Sequence, residues 1–414
     1  MDLSIIKYNK IERIQGWALA IIAIVSSMGM YHDDTTLVSE ATHARLPLII
    51  YFSIIILLVT TFIGSKTIKL YAPLCVCVLL WWVFTTFNVY HNTPINPRWL
   101  TLIILLIFCA LKSSVWLYSF KLFRFYLIFT ACYGILVYLS FVFFIPLPNE
   151  QVAYYTMSGE GSAFYLNYYL SYLVVSRDGA RLCGLFNEPG YYGTILALYL
   201  VADGVNLKKR GNLIMLFGGF FTLSMAFFVI IGVFLFFKSL KTPKIIIVLL
   251  IAVLLFFLIL HQLKESSDII NIFFERFAFT DGKIAGNNRT SDLFDTYWQR
   301  FIVSPSVLFG YGTGFIDYLQ SLSREGSLSY KQVVIEQGII GAGLMWGSLL
   351  KAAIKKGKHI QSGLFVLLFF ISIYQRPTVI FITYFVLLFG GIEYIRKNEQ
   401  ASLSSEIIPQ IGYH

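Results

Sequence analysis

Runs of apolar residues recur along almost the whole chain, with short polar or charged stretches between them. A helix needs about 20 apolar residues to cross about 30 Å of hydrocarbon. On that measure the pattern predicts spans at 14–30, 46–63, 70–90, 99–111, 125–145, 189–206, 212–222, 224–237, 245–261, 332–350, 360–374 and 378–395. In 113–124, Trp116, Phe120 and Phe123 alternate with Lys121 and Arg124, the pattern of an interfacial helix. Two connections are long, 146–188 and 262–331, and long ordered loops are commonly functional. The expected fold class is an all-α integral membrane protein. It is a single polytopic domain over 1–414, a helical bundle of about 12 transmembrane helices with two long external loops.

Composition agrees. The chain is 57% hydrophobic and 13% charged, against roughly a quarter charged in soluble domains. The net charge of +10 follows from clusters such as Lys208–Arg210, Lys238–Lys244 and Lys351–Lys358, which flank spans on one side. Their position is a topology signal that puts both termini in the cytoplasm, and it calls for no nucleic acid. Charge also decides the segment 212–237, long for one span and short for two. A single span would carry Lys238, Lys241 and Lys244 to the outer side, so two short helices hinged at Thr222-Leu-Ser224 are expected. The five cysteines give no disulfide framework, and the six histidines form no metal or triad pattern.

Chemistry is sought in the outer loops. Arg181 lies shortly before Asn187-Glu188-Pro189, a helix start with Pro at the first helical position. Arg289 lies in Gly-Asn-Asn-Arg-Thr-Ser-Asp, beside Asn288 and before a plausible cap. Leu293, Phe294, Tyr297, Trp298, Phe301 and Ile302 then follow at helical spacing. A helix N-terminus carries unpaired N–H groups and partial positive charge, and a guanidinium beside it makes a seat for a phosphate oxygen. The structural alternative is a surface arginine paired with Glu188 or Asp292. Arg177 and Asp178 read as a solvated pair, with Arg177 near enough to join the site.

Further candidates surround these seats. The glycine-rich turn Leu308–Gly314 brings Tyr311, Gly312 and Gly314, and glycines permit close backbone approach to a ligand. Tyr330, Lys331 and Glu336 lead into the tenth span, whose Gly338, Gly341, Gly343 and Gly347 form a small-residue surface for helix packing. Glu336 is the most membrane-embedded carboxylate, either functional or a structural hydrogen-bond partner. Arg300, Arg376, Asn187 and Tyr191 complete the candidate binding set. The tyrosines of the first long loop, among them Tyr165, Tyr168, Tyr169 and Tyr172, suit a headgroup belt or a sugar face.

Taken in order, these motifs resemble the Wzy-type O-antigen polymerases and, more distantly, the WaaL-type O-antigen ligases. The resemblance rests on Arg181-x-x-Gly184-x-Phe186-x-Glu188-Pro189 with Gly193, then Thr222-Leu-Ser224. It continues through Arg289, Pro305, Leu308-Phe-Gly-Tyr-Gly-x-Gly314 and Glu336-x-Gly338-Ile-x-Gly341. It implies a GT-C-like, metal-independent and cofactor-free glycosyltransferase of the bacterial inner membrane, working at its periplasmic face. Its partners would be undecaprenyl-pyrophosphate-linked oligosaccharide repeats, membrane lipid and a polysaccharide chain-length regulator. Arg181 and Arg289 map to the arginines thought to hold donor and acceptor, and Glu188 is the candidate base with Glu336 second. Ligases carry a His near the position of Ser327 to Tyr330, and this chain has Ser-Leu-Ser-Tyr there. A lipid-linked oligosaccharide flippase or other transporter is the alternative from another class.

Overall fold

A computed structural model describes residues 8–28, 40–64, 72–90, 99–154, 163–176, 179–240, 279–280, 283–284, 292–323, 329–356, 360–374 and 382–407. The first part holds helices α1 (Lys10–Ser27), α2 (Glu40–Gly64), α3 (Ala72–Phe87), α4 (Trp99–Ala110) and α5 (Ser113–Val142). Strands β1 (Glu150–Tyr154), β2 (Ala163–Asn167), β3 (Tyr172–Ser176) and β4 (Gly179–Gly184) follow, then α6 (Pro189–Ala202), α7 (Arg210–Phe221) and α8 (Met225–Ser239). A two-residue pair of strands, β5 (Phe279–Thr280) and β6 (Lys283–Ile284), precedes α9 (Asp292–Ile302) and α10 (Phe315–Ser323). Last come α11 (Tyr330–Lys356), α12 (Ile360–Ile373), α13 (Ile382–Phe385), a π turn (Val386–Gly390) and α14 (Gly391–Ile407).

Among the described residues, three helices are long and apolar enough to cross a membrane: Leu46–Ile63 within α2, α5, and Tyr330–Ile354 within α11. Shorter apolar helices accompany them in α3, α4, α8 and α12. The outer faces of these helices expose large apolar side chains such as Phe52, Ile63 and Phe125, as a surface turned to lipid does. At the centre runs α6, apolar all round and sealed from Tyr192 to Ala202. It packs on α7, α8 and α12.

Several expectations are corrected. The interfacial helix at 113–124 does not exist as a separate element: α5 runs unbroken for 30 residues. Trp116, Phe120 and Phe123 lie wholly inside the bundle, because α1, the π turn and α14 wrap that end of α5. The chain is also not all-α. Part of the first long loop is an antiparallel meander in the order β1-β2-β3-β4. Aromatic and β-branched residues such as Phe164, Tyr165, Val174 and Val175 suit the pleat. Tyr165, Tyr168 and Tyr172 are buried within that packing, so they form neither a headgroup belt nor an open sugar platform. In α11, a Cβ at Gly341 would lie 2.8 Å from the Phe84 ring of α3, the close helix contact expected there, whereas among the described residues one at Gly343 or Gly347 would meet nothing within 4 Å. The predicted span 245–261 lies outside the described residues.

The expected break in 212–237 is present. α7 ends at Phe221 and α8 begins at Met225, with Ser224 accepting from Phe227 N as the cap of α8. Leu223 takes a left-handed φ of 47° at the turn, a conformation that costs a bulky residue and persists only where its surroundings hold it.

Candidate functional site

The first motif folds into one cluster at the start of α6. Strand β4 alternates: Ala180 and Leu182 enter the main core, while Arg181 and Cys183 take the other face. Gly184 turns the chain at φ 59°, Glu188 occupies the extended N-cap position and Pro189 starts the helix. The half-buried Arg181 reaches the α7–α8 break, where its Nε donates to the Thr222 carbonyl at 3.1 Å and its Nη2 to the Leu223 carbonyl at 3.4 Å. These carbonyls belong to a helix end that lacks its usual partners. The guanidinium therefore holds the strained turn.

The same turn is pressed against α6. A Cβ at Gly193 would sit 2.6 Å from both Thr222 Oγ1 and Ser224 Cβ, so glycine alone permits this approach. Ser224 Oγ donates to the Gly190 carbonyl at 3.4 Å, and Thr222 Oγ1 donates to the Gly219 carbonyl at 2.6 Å. Asn187 is exposed, and its carbonyl accepts from Tyr165 Oη at 2.7 Å. Tyr191 packs its ring on Phe186 and Tyr384. Burial pushes the Cys183 thiol well above its usual range, against the opposing charge of Arg181. Cys183 is wholly buried and packs with Tyr165, Tyr172 and Leu185.

The second motif folds into another cluster, where α11 kinks. Gly338 has φ 65° and ψ −178° inside α11, and the glycine turn fills the opening. Tyr311 N donates to the Ile335 carbonyl at 2.8 Å, Gly312 N to the Glu336 carbonyl at 2.9 Å, and Ile340 N to the Leu308 carbonyl at 3.1 Å. The end of α3 joins in: Thr313 N donates to the Asn88 carbonyl, and Asn88 Nδ2 donates to the Phe309 carbonyl. Glu336 Oε1 accepts from Gly314 N at 3.1 Å and Ile316 N at 3.2 Å, so this carboxylate caps α10. Beside it Lys331 pairs with Asp295 at 2.9 Å and lies 5.4 Å over the Trp298 ring. Tyr330 stacks on Tyr374, Tyr311 packs between Phe301 and Phe315, and Arg300 is exposed.

Arg289, Asn288, Arg177 and Arg376 lie outside the described residues. Among the described residues no group of three or more His, Cys, Asp or Glu could hold a metal ion.

A third cluster escaped the sequence reading. Arg124 on α5 donates through Nη2 to Asp203 Oδ2 at 2.9 Å and to Asn212 Oδ1 at 2.6 Å, and through Nη1 to Tyr394 Oη at 3.1 Å. Lys209 reaches Asp203 Oδ1 at 2.6 Å, and Asn212 Nδ2 returns to Asp203 at 2.9 Å. The network ties α5, α6, α7 and α14 together. Its one trace in the sequence is Asp203, an acid that ends an apolar run beside Lys208-Lys-Arg210.

Compared with protein-family models, curated proteins and solved structures, the chain matches none.

Proposed function

We propose that this chain is a polysaccharide polymerase of the O-antigen kind, a metal-independent glycosyltransferase of a bacterial inner membrane. About 12 spans place both termini in the cytoplasm and the reaction at the periplasmic face. One observation carries the reading. Arg181, Glu188, Gly193 and Thr222–Ser224, the pieces of the motif that resembles the family, belong to one cluster at a helix start. A positively charged side chain held by backbone beside a helix N-terminus suits an anionic lipid headgroup.

The donor is a glycan on undecaprenyl pyrophosphate, and the acceptor is the terminal sugar of another lipid-linked repeat. The acceptor hydroxyl oxygen bonds to the anomeric carbon as the bond from that carbon to the phosphate oxygen breaks. Undecaprenyl pyrophosphate leaves, and Arg181 and Arg289 neutralise the charge that gathers on its bridging oxygen. The hydroxyl proton passes to Glu188. Glu336, occupied as the cap of α10, instead shapes the glycine turn. A chain-length regulator is the expected protein partner.

Purified protein given a lipid-linked repeat in detergent should lengthen the glycan with no second compartment present. Arg181→Ala and Arg289→Ala should each abolish polymer, and Arg→Lys should restore it only in part, because a point charge cannot grip phosphate bidentately. Polymer of wild-type length from either alanine variant rejects the mechanism. The buried Arg124–Asp203 pair favours the transporter reading, since charge inside a bundle marks transport paths. Against it, Asn212 and Tyr394 close the pair by hydrogen bonds, and its acid Asp203 stands at the C-terminal end of α6. Movement of the lipid-linked repeat across vesicles without elongation would select the transporter. Transfer to a lipid A-core acceptor without free polymer would select the ligase.

A further inference from the structure

We infer that the lip formed by the end of α9 and the glycine turn dips into the hydrocarbon edge of the lipid bilayer, and so anchors the second outer loop to the membrane. From Phe301 to Ile316 the chain carries no charged residue, with Arg300 before it and Asp317 after it. Within this stretch Ile302, Val303, Leu308 and Phe309 are exposed, Val303 at 83%. Water gives no reason to leave so many apolar side chains uncovered together.

Two features commit this surface to lipid. First, it continues the outer faces of the apolar helices. Leu308 is bonded to Ile340 on α11, and Phe309 to Asn88 beside the exposed Phe87 of α3. Ile339 and Ile340 are themselves exposed on a helix long and apolar enough to cross a membrane. Second, every backbone N–H from Val307 to Ile316 is bonded within the protein, to carbonyls of the turn, of Asn88, of Ile335 and of Glu336, or to the Glu336 carboxylate. Irregular backbone enters hydrocarbon only when the protein itself satisfies its polar groups. An ordinary solvent loop needs no such closure. This membrane contact does not depend on the chemistry proposed above.

The unmodified protein in nanodiscs of phosphatidylcholine with a diazirine in its acyl chain provides the test. Illumination should place adducts on 302–309 as well as on Ile339, Ile340 and Ile354, the exposed isoleucines of α11. Adducts on α11 with none on 302–309 overturn the inference. A spin label gives a second reading in a chain whose Cys77 and Cys132, the two cysteines that are not buried, are alanine. A nitroxide at Val303→Cys should collide more with oxygen than with a water-soluble nickel chelate, and one at the exposed Asp317→Cys should show the reverse. The same ratio at both positions rejects the lip as a membrane contact.

Discussion

Two arginines divide the labour of this molecule, and their partners tell them apart. Arg124 is 8% exposed at its side chain and faces the carboxylate of Asp203, which is 3% exposed. Arg181 is half-buried and grips the backbone carbonyls of Thr222 and Leu223. The first arrangement is a closed ion pair whose loss strands a charge in the interior. The second fixes a guanidinium in position at the edge of a loop sheet. Sequence position puts Arg124 beside Lys121 ahead of an apolar run and Arg181 shortly before a helix start, and only the contacts separate anchor from candidate ligand.

The contrast is sharpest in stability. Arg124→Ala should destabilise the fold by about 3–5 kcal/mol, the range for breaking a buried pair, read as a fall in the thermal midpoint in detergent. Asp203→Asn should do similar damage, and a wild-type midpoint in both variants would show that the pair anchors nothing. Arg181→Ala should cost less, about 1–3 kcal/mol for charged hydrogen bonds to carbonyls, yet remove all polymer. An Arg181→Ala protein that is badly unfolded would collapse the distinction between the two arginines. Glu336→Gln keeps an acceptor and removes the charge, so about 1 kcal/mol of capping strength should go, with polymer still formed. Loss of polymer at normal stability would restore Glu336 as a chemical group.

The smallest effect is at Lys209. Burial alone would lower its pKa, but the hydrogen bond and charge of Asp203, with Tyr394, hold it above the ordinary 10.5. A raised folded pKa means that its contribution is complete below 10.5 and fades as pH climbs through the higher folded value. Lys209→Met should therefore flatten the alkaline end of the stability curve and leave the acid end alone. A mutant with the same alkaline fall as the wild type would place that titration elsewhere.

Local chemistry was readable where the backbone itself speaks. Pro189 announced the start of α6, Thr222-Leu-Ser224 announced the break, and the spacing from Leu293 to Phe301 announced α9. Long-range pairing was not readable. Arg124 and Asp203 are 79 positions apart, and nothing beside Lys121 and Arg124 shows that other helices enclose them. The meander was missed because tyrosines and valines in short alternating runs look equally like an aromatic belt. Glu336 was visible as an embedded acid, but its two amide partners lie 20 and 22 positions back, across a turn.

The length of α5 has a consequence of its own. Its 30 residues make a rod about 45 Å long, roughly half as long again as the hydrocarbon slab is thick. Arg124 sits about 16 Å from the rod's first residue, so an upright rod would leave the surplus on the Ser113 side and bring the guanidinium level with the boundary. That overhang would be a stalk clasped by α1, the π turn and α14, along which a bilayer thinner or thicker by a few ångströms would slide without moving the polar knot at its neck.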